Sequence, residues 1–348
     1  MIRIGFIGTG GISGAHLNCL KTRKDVRVVG LCDINIDAAK NRQKVFGGDI
    51  FTDYKDMLAR VKLDAVYICT PPTVRRELLL ACADKGLPIF CEKPVEHSAL
   101  KAARIAADLK RRKAKVQIGY VFRSMPVIEK LKQAMHSDKL HIIQSFYGCP
   151  MSLDMTFPAW FFDKAISGGG LIDQATHNLD LLRHLFGEVK TIKGLAHNPL
   201  HRVKPGYTID ETIGLVFMFE SGVVASHLHT WVCDSWRNEI FISGERSFYR
   251  LNPGDGKLVV ESTRENMDRD SGKLLVGAGS GPAVFDQGPS SVYAYENSRF
   301  IDMVKSDDWS SNPSDYDDGL KTLQLTLACD RAVTKGLRLL KRRPACVS

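Results

Sequence analysis

The first 120 residues alternate short apolar runs with amphipathic stretches, and this rhythm limits the fold more than any other feature of the chain. The strand-like runs are "RIGFIG", "VRVVGLCD", "AVYICT", "PIFCEK" and "VQIGY". The segment from Ser98 to Arg112 begins with a capping serine and repeats apolar residues at helical spacing. Strands that alternate with helices are typical of βαβ units, so we predict a parallel sheet within residues 1–121.

Residues 122–348 follow another pattern and are predicted to form a second α/β domain. Two long strands, "TIGLVFMFE" and "VVASHLHTWV", are joined by "SG", which predicts a hairpin in an open, mainly antiparallel sheet. The first strand is apolar on both faces, so we expect helices on one side of the sheet and a second subunit on the other. A polar, glycine-rich excursion (264–291) and a last helix (315–337) complete the chain.

Composition excludes several classes of protein. The 348 residues, 44% of them apolar, can fill two cores, and the basic runs "KRRKAK" and "KRR" lack the aromatics of a nucleic-acid site. Nine singly scattered cysteines without a CxxC pattern indicate free thiols in a reducing compartment and argue against zinc. The chain starts on a strand-like segment instead of a leader, and no apolar run has membrane-spanning length, so we expect a cytoplasmic protein without a membrane partner.

The loop "FIGTGGISGAH" follows the first strand and opens the first helix. Glycines at positions 8 and 10, with Ser13 as the third small residue, allow the backbone to turn tightly and approach a pyrophosphate at the helix N-terminus. In this strand-loop-helix context the loop, including Gly8, Gly10, Gly11 and Ile12, predicts a dinucleotide site in a Rossmann domain.

Asp33 ends the second strand, about twenty residues beyond the loop. A carboxylate there can bind both adenosine ribose hydroxyls and would repel a 2′-phosphate, and Ile34, Asn35 and Ile36 offer no arginine to receive one. We therefore predict NAD in preference to NADP. The alternative interpretation is that Asp33 only caps a helix.

Two further strand ends carry candidate residues. In "CTPP", Thr70 and Pro71 either flank the nicotinamide half of the cofactor or form a stiff connection. In "CEKPVEH", Glu92 and Lys93 end the next strand, and ligands of open α/β sheets bind at this carboxyl edge. We therefore expect both residues to face the cofactor, although an isolated Lys-Pro pair can also be a surface turn.

The segment "SGGGLIDQATHNLDLLRHLFG" leads from three glycines into a helix. Asp173, His177 and Asp180 recur at intervals of four and three and so share one helical face. This pattern favours a ligand site, and the alternative is a solvent-facing helix.

In this order, "GTGGIS", "EKP" and "GGGLIDQATHNLD" resemble the Gfo/Idh/MocA oxidoreductases over essentially the whole chain. The resemblance implies a Rossmann domain, an α/β domain with an open sheet, and dimers or tetramers formed through that sheet. It also implies that NAD or NADP oxidises or reduces a secondary hydroxyl of a sugar, inositol or related polyol. The family's catalytic residues map onto Lys93, Asp173 and His177, and "GYVFR" places Tyr120 and Arg123 beside the substrate.

The chemistry suits these residue types. Hydride loss from a carbinol carbon leaves an alkoxide-like oxygen, whose proton passes to a base with a pKa near neutrality, so His177 is the predicted general acid/base. The Lys93 ammonium would stabilise the oxyanion, and Asp173 would hold a hydroxyl or orient the imidazole. No metal is required, because the cofactor accepts the hydride.

Other polar and aromatic residues allow two interpretations each. His227, His229 and Trp231 share one strand face, and without a third ligand we favour a subunit interface over a metal site. His97 lines the cleft or caps a helix. Trp160 and its neighbours Phe161 and Lys164 form a wall against a sugar ring or a minor core.

Three functions compete. The leading one is an NAD-dependent dehydrogenase acting on a sugar, inositol or glycoside. The second is an NAD-dependent glycosidase that oxidises transiently, eliminates the aglycone and takes the hydride back, which leaves no net reduced cofactor. The third is a non-catalytic sugar or nucleotide sensor, which would not need Lys93, Asp173 and His177.

Overall fold

A computed structural model describes residues 1–153, 159–198, 200, 206–262, 282–288 and 291–340, the last six by their backbone alone. Within the chain, unit 1 comprises Met1–Ser124 and Ser290–Gln324, and unit 2 comprises Met125–Pro289 and Leu325–Ser348. The sequence suggested one division, near residue 121, and did not indicate that a later segment packs with unit 1.

Strands and helices are numbered in chain order. The strands are β1 (Ile2–Ile7), β2 (Val26–Cys32), β3 (Asp49–Phe51), β4 (Ala65–Ile68), β5 (Ile89–Cys91), β6 (Val116–Ile118), β7 (Leu140–Gly148), β8 (Val189–His197), β9 (Thr212–Phe219), β10 (Val224–Thr230), β11 (Arg237–Gly244), β12 (Ser247–Asn252), β13 (Lys257–Ser262) and β14 (Ala283–Asp286). The helices are α1 (Gly11–Lys21), α2 (Ile36–Phe46), α3 (Tyr54–Arg60), α4 (Arg75–Asp84), α5 (Ala99–Arg111), α6 (Pro126–Met135), α7 (Lys164–Ser167), α8 (Thr176–Phe186), α9 (Val292–Ser306) and α10 (Tyr316–Leu340).

Unit 1 contains a six-stranded sheet in the order β3-β2-β1-β4-β5-β6, and every pairing is parallel. This confirms the predicted parallel sheet. Ser98 caps α5 as expected, because its hydroxyl accepts a hydrogen bond from the Lys101 amide (3.4 Å). The order places β1 and β4 side by side at the centre, where the strand order reverses and where α/β sheets bind nucleotides.

Aromatic rings form much of the core of unit 1. Phe6, Tyr67 and Phe90, on the neighbouring strands β1, β4 and β5, stack at centroid distances of 4.7 and 4.8 Å. Phe300 of α9 meets Tyr67 and Phe90 edge-on at 5.2 and 5.6 Å. Burial of each such ring contributes roughly 1.5–3 kcal/mol. These contacts explain why α9, nearly 200 positions after α5 began, packs on the parallel sheet of unit 1.

Unit 2 contains an eight-stranded sheet in the order β14-β13-β12-β11-β7-β10-β9-β8. All its pairings are antiparallel except that of β7 with β10, so the predicted mainly antiparallel sheet and its β9–β10 hairpin are confirmed. Helix α8 covers one face, where the Asn178 amide contacts Ser145 of β7 and Asn238 of β11. On the other face Ile142, Val216 and Leu228 are 55%, 50% and 46% exposed. In the described part of the chain, this second face of the sheet is open and exposes apolar side chains.

Three other expectations concern the chain as a whole. The eight described cysteines are free, while Cys346 lies outside the described residues. Much of the predicted excursion at 264–291 also lies outside them, apart from residues 282–288, which contain β14, and residue 291, which precedes α9. Among the described helices, we find none that combines the length and the apolar character needed to cross a membrane.

Candidate active site

The glycine loop joins β1 to α1, and its glycines serve different purposes. Gly8 has a φ of +89°, and a Cβ there would lie 2.7 Å from the backbone of Cys69 and 2.9 Å from the Thr70 amide. Apart from its chain neighbours and the backbone of α1, a Cβ on Gly10 or Gly11 would meet no atom of the described residues within 4 Å. Gly8 is thus required by the fold, whereas Gly10 and Gly11 leave open space in front of the first amides of α1, where a phosphate can bind.

Asp33 is held at the end of β2 by the loop itself. The Thr9 amide and hydroxyl donate to Asp33 Oδ2 (2.7 and 3.0 Å), and the Asn35 amide donates to Oδ1 (2.9 Å). Asn35, not Asp33, caps α2 by accepting from the Asp37 amide (3.1 Å). The alternative helix-cap interpretation of Asp33 is therefore wrong, and its carboxylate is oriented beside the nucleotide loop.

Arg42 is a neighbour of this loop that the sequence reasoning missed. From α2, its guanidinium donates to the Gly10 carbonyl (2.7 Å) and to the Thr9 carbonyl (3.2 Å). Arg42 lies about two helical turns beyond the three residues that follow Asp33, and these turns bring it back to the loop. It adds positive charge where the phosphates of a dinucleotide would lie.

The loops that follow β4 and β5 are joined by Arg75, a second residue that the sequence reasoning missed. This buried side chain of α4 donates to the carbonyls of Thr70 (2.9 Å), Glu92 and Pro94 (2.5 Å). The Lys93–Pro94 peptide bond is cis. Arg75 therefore ties the residues around Pro71 to those around Lys93, and Gly8 packs against the same Thr70.

Glu92 turns inward. Its Oε1 is 2.7 Å from His16 Nε2, and its Oε2 accepts from the backbone amide of Lys93 (3.1 Å). The side chain of Lys93 is only half-buried. Both residues were predicted to face a cofactor. Glu92 instead points inward and holds the Lys93 backbone, whereas the Lys93 side chain remains accessible.

In unit 2, the glycines after Ser167 lead into a π-helical turn, Leu171–Ala175, that continues as α8. Such turns are rare and frequently occur at functional sites. Most of this segment is buried, and Asp173 and His177 are among its half-buried residues. Asp180, which shares their predicted face, is fully buried. The turn therefore presents Asp173 and His177, one turn apart, at an accessible position.

The predicted interface role of His227, His229 and Trp231 is wrong. All three are fully buried, on the face of the sheet that α8 covers. His227 Nδ1 lies 3.0 Å from Ser145 Oγ, and a Cβ on Gly170 would lie 3.1 Å from His229 Nε2. Burial lowers the pKa of His227 to about 3 and that of His229 to about 4. Both imidazoles are therefore neutral and pack against the glycine turn. The alternation of side chains along β10 defines two faces, but it could not show which of them is buried.

The remaining candidates lie in different places. Tyr120 and Arg123 are buried in unit 1, where Arg123 donates to the Pro313 carbonyl (2.9 Å) and pairs with Asp318. Trp160 in unit 2 is about half exposed and stacks on Phe161 at 4.1 Å. Lys164 forms ion pairs with Asp210 and Asp330. Substrate contact by Tyr120, Arg123 and Trp160 stays a prediction.

The described parts of unit 1 fit a dinucleotide. The open space at Gly10 and Gly11, the uncovered start of α1, the oriented Asp33 and the nearby Arg42 match its pyrophosphate and adenosine ribose. Lys93, at the same carboxyl edge of the sheet, matches the position of a reacting group. The arrangement therefore suits hydride-transfer chemistry.

Comparisons with known proteins agree with this geometry. A family model described as "Oxidoreductase family, NAD-binding Rossmann fold" matches residues 2–120, and the "GFO/IDH/MocA C-terminal domain" matches residues 128–250.

Individual relatives are distant. The chain is 23% identical over 345 residues to the uncharacterized oxidoreductase YrbE of Bacillus subtilis (96% of this chain, 94% of the relative). It is 27% identical over 269 residues to the myo-inositol 2-dehydrogenase of Thermotoga maritima (76% of each). The structure of a levoglucosan dehydrogenase in complex with NADH superposes with a TM-score of 0.80 at 19% identity, covering 96% of this chain and 97% of the other. At that identity the likeness shows the fold.

Proposed function

Because this chain belongs to the Gfo/Idh/MocA family of oxidoreductases, we propose that it transfers a hydride between NAD and a secondary hydroxyl, or the matching ketone, of a sugar, inositol or glycoside. It is an NAD-binding oxidoreductase that acts on CH–OH groups. The observation that carries the proposal is the convergence of three loops in unit 1. Gly8 packs against Thr70, and Arg75 ties Thr70 to the backbone on both sides of Lys93.

NAD, when bound, supplies the hydride acceptor. Gly10 and Gly11 would let the pyrophosphate approach the start of α1, and Asp33 would bind the adenosine ribose. The two ribose hydroxyls can each donate to the carboxylate of Asp33. A 2′-phosphate would be repelled by the same carboxylate, so the preferred cofactor is NAD.

The substrate chemistry is assigned to three side chains. The Lys93 ammonium stabilises the negative charge that develops on the substrate oxygen as the hydride leaves. His177 takes the hydroxyl proton in oxidation and returns it in reduction. Asp173, one turn before His177, holds a neighbouring substrate hydroxyl or orients the imidazole. Trp160 offers an exposed ring face for the apolar side of a sugar ring.

The open face of the sheet in unit 2 is the proposed surface of a homodimer or homotetramer. The register places Val224 beside Ile142 of β7 and beside Met218 of β9, and Val216 and Leu228 lie on the same exposed face. Exposed apolar side chains grouped on one sheet face mark an interaction site in soluble proteins. A second copy would bury it.

The test begins with the cofactor. The purified protein is denatured, the released nicotinamide nucleotide is identified, and inositols, aldoses and aryl glycosides are screened for NADH formation and for aglycone release. We expect NADH formation with a polyol or sugar. Aglycone release without net NADH would assign the NAD-dependent glycosidase, and NAD binding without turnover of any compound would favour a sensor.

Lys93→Ala tests the mechanism on the accepted substrate, with the exposed Lys85→Ala of the same unit as a matched control. We expect Lys93→Ala to lower kcat about 100-fold or more, in the range typical for loss of an oxyanion-stabilising donor. Lys85→Ala should retain full turnover. Unchanged turnover in Lys93→Ala would refute the assigned role.

A further inference from the structure

A buried polar cluster lies directly behind Lys93 in unit 1. It consists of His16 on α1, Glu92 after β5, and Glu296 and Asn297 on α9, each no more than 4% exposed. The ligand atoms of His16, Glu92 and Glu296 all lie within 4.8 Å of one another. Two carboxyl groups and an imidazole so close together in a dry interior require a defined arrangement of protons.

Hydrogen bonds determine the proton position on His16. Asn297 Nδ2 lies 2.7 Å from the Tyr293 carbonyl and 3.0 Å from His16 Nδ1. A carbonyl only accepts, so the amide nitrogen donates to it, and the same nitrogen donates its second proton to His16 Nδ1. His16 therefore carries its proton on Nε2 and donates it to Glu92 Oε1 at 2.7 Å.

Glu92 is then the ionised member of the cluster. It accepts from His16 and, through Oε2, from the backbone amide of Lys93 (3.1 Å). Burial opposes its ionisation, but the hydrogen bond from His16 and the positive charges of Lys93 and Arg75 lower its pKa overall. An anion with these partners is stable in the interior.

Glu296 has a different environment. Neither of its carboxyl oxygens has a hydrogen-bond partner among the described residues. Burial, and then the negative charge of Glu92, raise the pKa of Glu296 well above its usual value. The other titratable groups around it are neutral at physiological pH: Cys19 on α1, Tyr67 and Cys69 at β4, and Tyr293 on α9. Glu296 is thus a neutral carboxylic acid.

We propose that His16 and Glu92 are positioning residues that orient Lys93 and supply a single negative charge behind it, and that Glu296 keeps this charge single by remaining protonated. The inference rests on the proposed role of Lys93 in hydride transfer. His16 orients Glu92, and Glu92 holds the backbone amide of Lys93, which fixes the point from which the lysine side chain extends. The same three residues are also the kinds that bind metals. However, His16 Nε2 and Glu92 Oε1 are 2.7 Å apart, which is a hydrogen-bond distance. Two ligand atoms that each lie about 2.0 Å from one tetrahedral ion would be roughly 3.3 Å apart.

Kinetics test the positioning role. Glu92→Gln keeps the shape but removes the charge, His16→Leu removes the donor, and His16→Gln restores a donor. The substrate is the compound accepted in the screen above, with myo-inositol as the first probe. We expect Glu92→Gln to lower kcat about tenfold or more while KM stays near the wild-type value, because the loss falls on the transition state. His16→Leu should lower kcat in the same way, and His16→Gln should recover most of the loss.

Stability tests the neutral acid without substrate or cofactor. A carboxyl group whose pKa is raised by folding costs stability as pH rises from the unfolded value towards the folded one. Glu296→Gln removes this cost. It should therefore melt about 3 °C or more above the wild type at pH 8, with the difference vanishing near pH 4.5. An equal melting difference at both pH values would overturn the assignment.

The outcomes separate the two proposals. If Lys93→Ala keeps its turnover, the proposed function fails. If Lys93→Ala loses turnover while Glu92→Gln and His16→Leu keep the wild-type kcat, only the positioning inference fails. Metal analysis of the purified protein adds a third readout: a stoichiometric divalent ion that is lost in His16→Leu would replace the hydrogen-bonded cluster with a metal site.

Discussion

Two alanine substitutions in the glycine loop should have opposite effects on stability, which makes them a sharp test of the loop. In Gly8→Ala, the residue would keep a φ of +89° that costs a non-glycine residue about 1–2 kcal/mol. Its Cβ would also lie 2.7 Å from the Cys69 backbone, and relief of such overpacking typically costs about 1–3 kcal/mol. Alanine also reduces the conformational entropy of the unfolded chain relative to glycine, which offsets about 0.4–1 kcal/mol of this loss. We therefore expect a net loss of about 1–5 kcal/mol in the free energy of unfolding.

Gly11→Ala is the matched control. Gly11 is the first residue of α1, its φ is not positive, and beyond its chain neighbours and the backbone of α1 a Cβ there meets no atom of the described residues within 4 Å. The free energy of unfolding should stay equal or rise by up to about 1 kcal/mol, because alanine favours a helix over glycine. The new methyl group would, however, occupy the space in which a pyrophosphate approaches α1. NADH affinity should fall about tenfold or more, which corresponds to about 1.4 kcal/mol.

Denaturant unfolding without cofactor measures the free energy of unfolding, and fluorescence titration measures the affinity for NADH. Gly8→Ala should lose both stability and affinity, and Gly11→Ala should lose affinity alone. Wild-type stability in Gly8→Ala would refute the close approach of β1 to the loop after β4. Wild-type NADH affinity in Gly11→Ala would show that the pyrophosphate binds elsewhere.

Three further predictions concern the loops around the site, the open sheet face and a buried histidine. Arg75→Gln should lower the free energy of unfolding by about 2–4 kcal/mol, because three buried carbonyls lose a charged donor. Denaturant titration measures this change, and a smaller loss would show that other contacts hold the loops. Val216→Glu and Leu228→Lys should shift the protein from oligomer to monomer in light scattering, whereas Lys62→Glu in unit 1 should not; a monomeric wild type would contradict the interface. Burial lowers the pKa of His229 to about 4. As the pH falls below about 6.5, the unfolded histidine takes up a proton before the folded one does, so the protein loses folding stability. At pH 5 this loss is about 2 kcal/mol. The free energy of unfolding measured in urea should therefore fall less between pH 7 and pH 5 for His229→Gln than for the wild type. An equal fall in both would show that His229 is not buried in its neutral form.

Residues close together along the chain carried much of the prediction. The glycine loop, the strand before it and the helix after it form one continuous segment, so their spacing specifies the backbone of a nucleotide loop. The parallel sheet follows from the same regularity, because strands separated by single helices can pair only through crossover connections. The "EKP" triplet was located at a sheet edge by the same reasoning.

Other parts of the site depend on contacts between distant segments. Arg75 joins two loops, Arg42 reaches the glycine loop from the next helix, and Glu296 is brought behind Lys93 by a helix more than 200 residues away. Nothing in the local pattern of these residues differs from that of an ordinary surface helix. Their roles depend on which element packs against which.

The sequence alone determined the fold class, the nucleotide loop and the candidate residues Lys93, Asp173 and His177, because each is specified by short-range periodicity or by a contiguous motif. Only the tertiary structure decided which face of β10 is buried and which acid of the cluster turns inward to support Lys93. The physical reason is that alternation in a strand defines two faces but not which of them is covered, and burial, which sets the pKa of His227 and Glu296, exists only once the elements have packed.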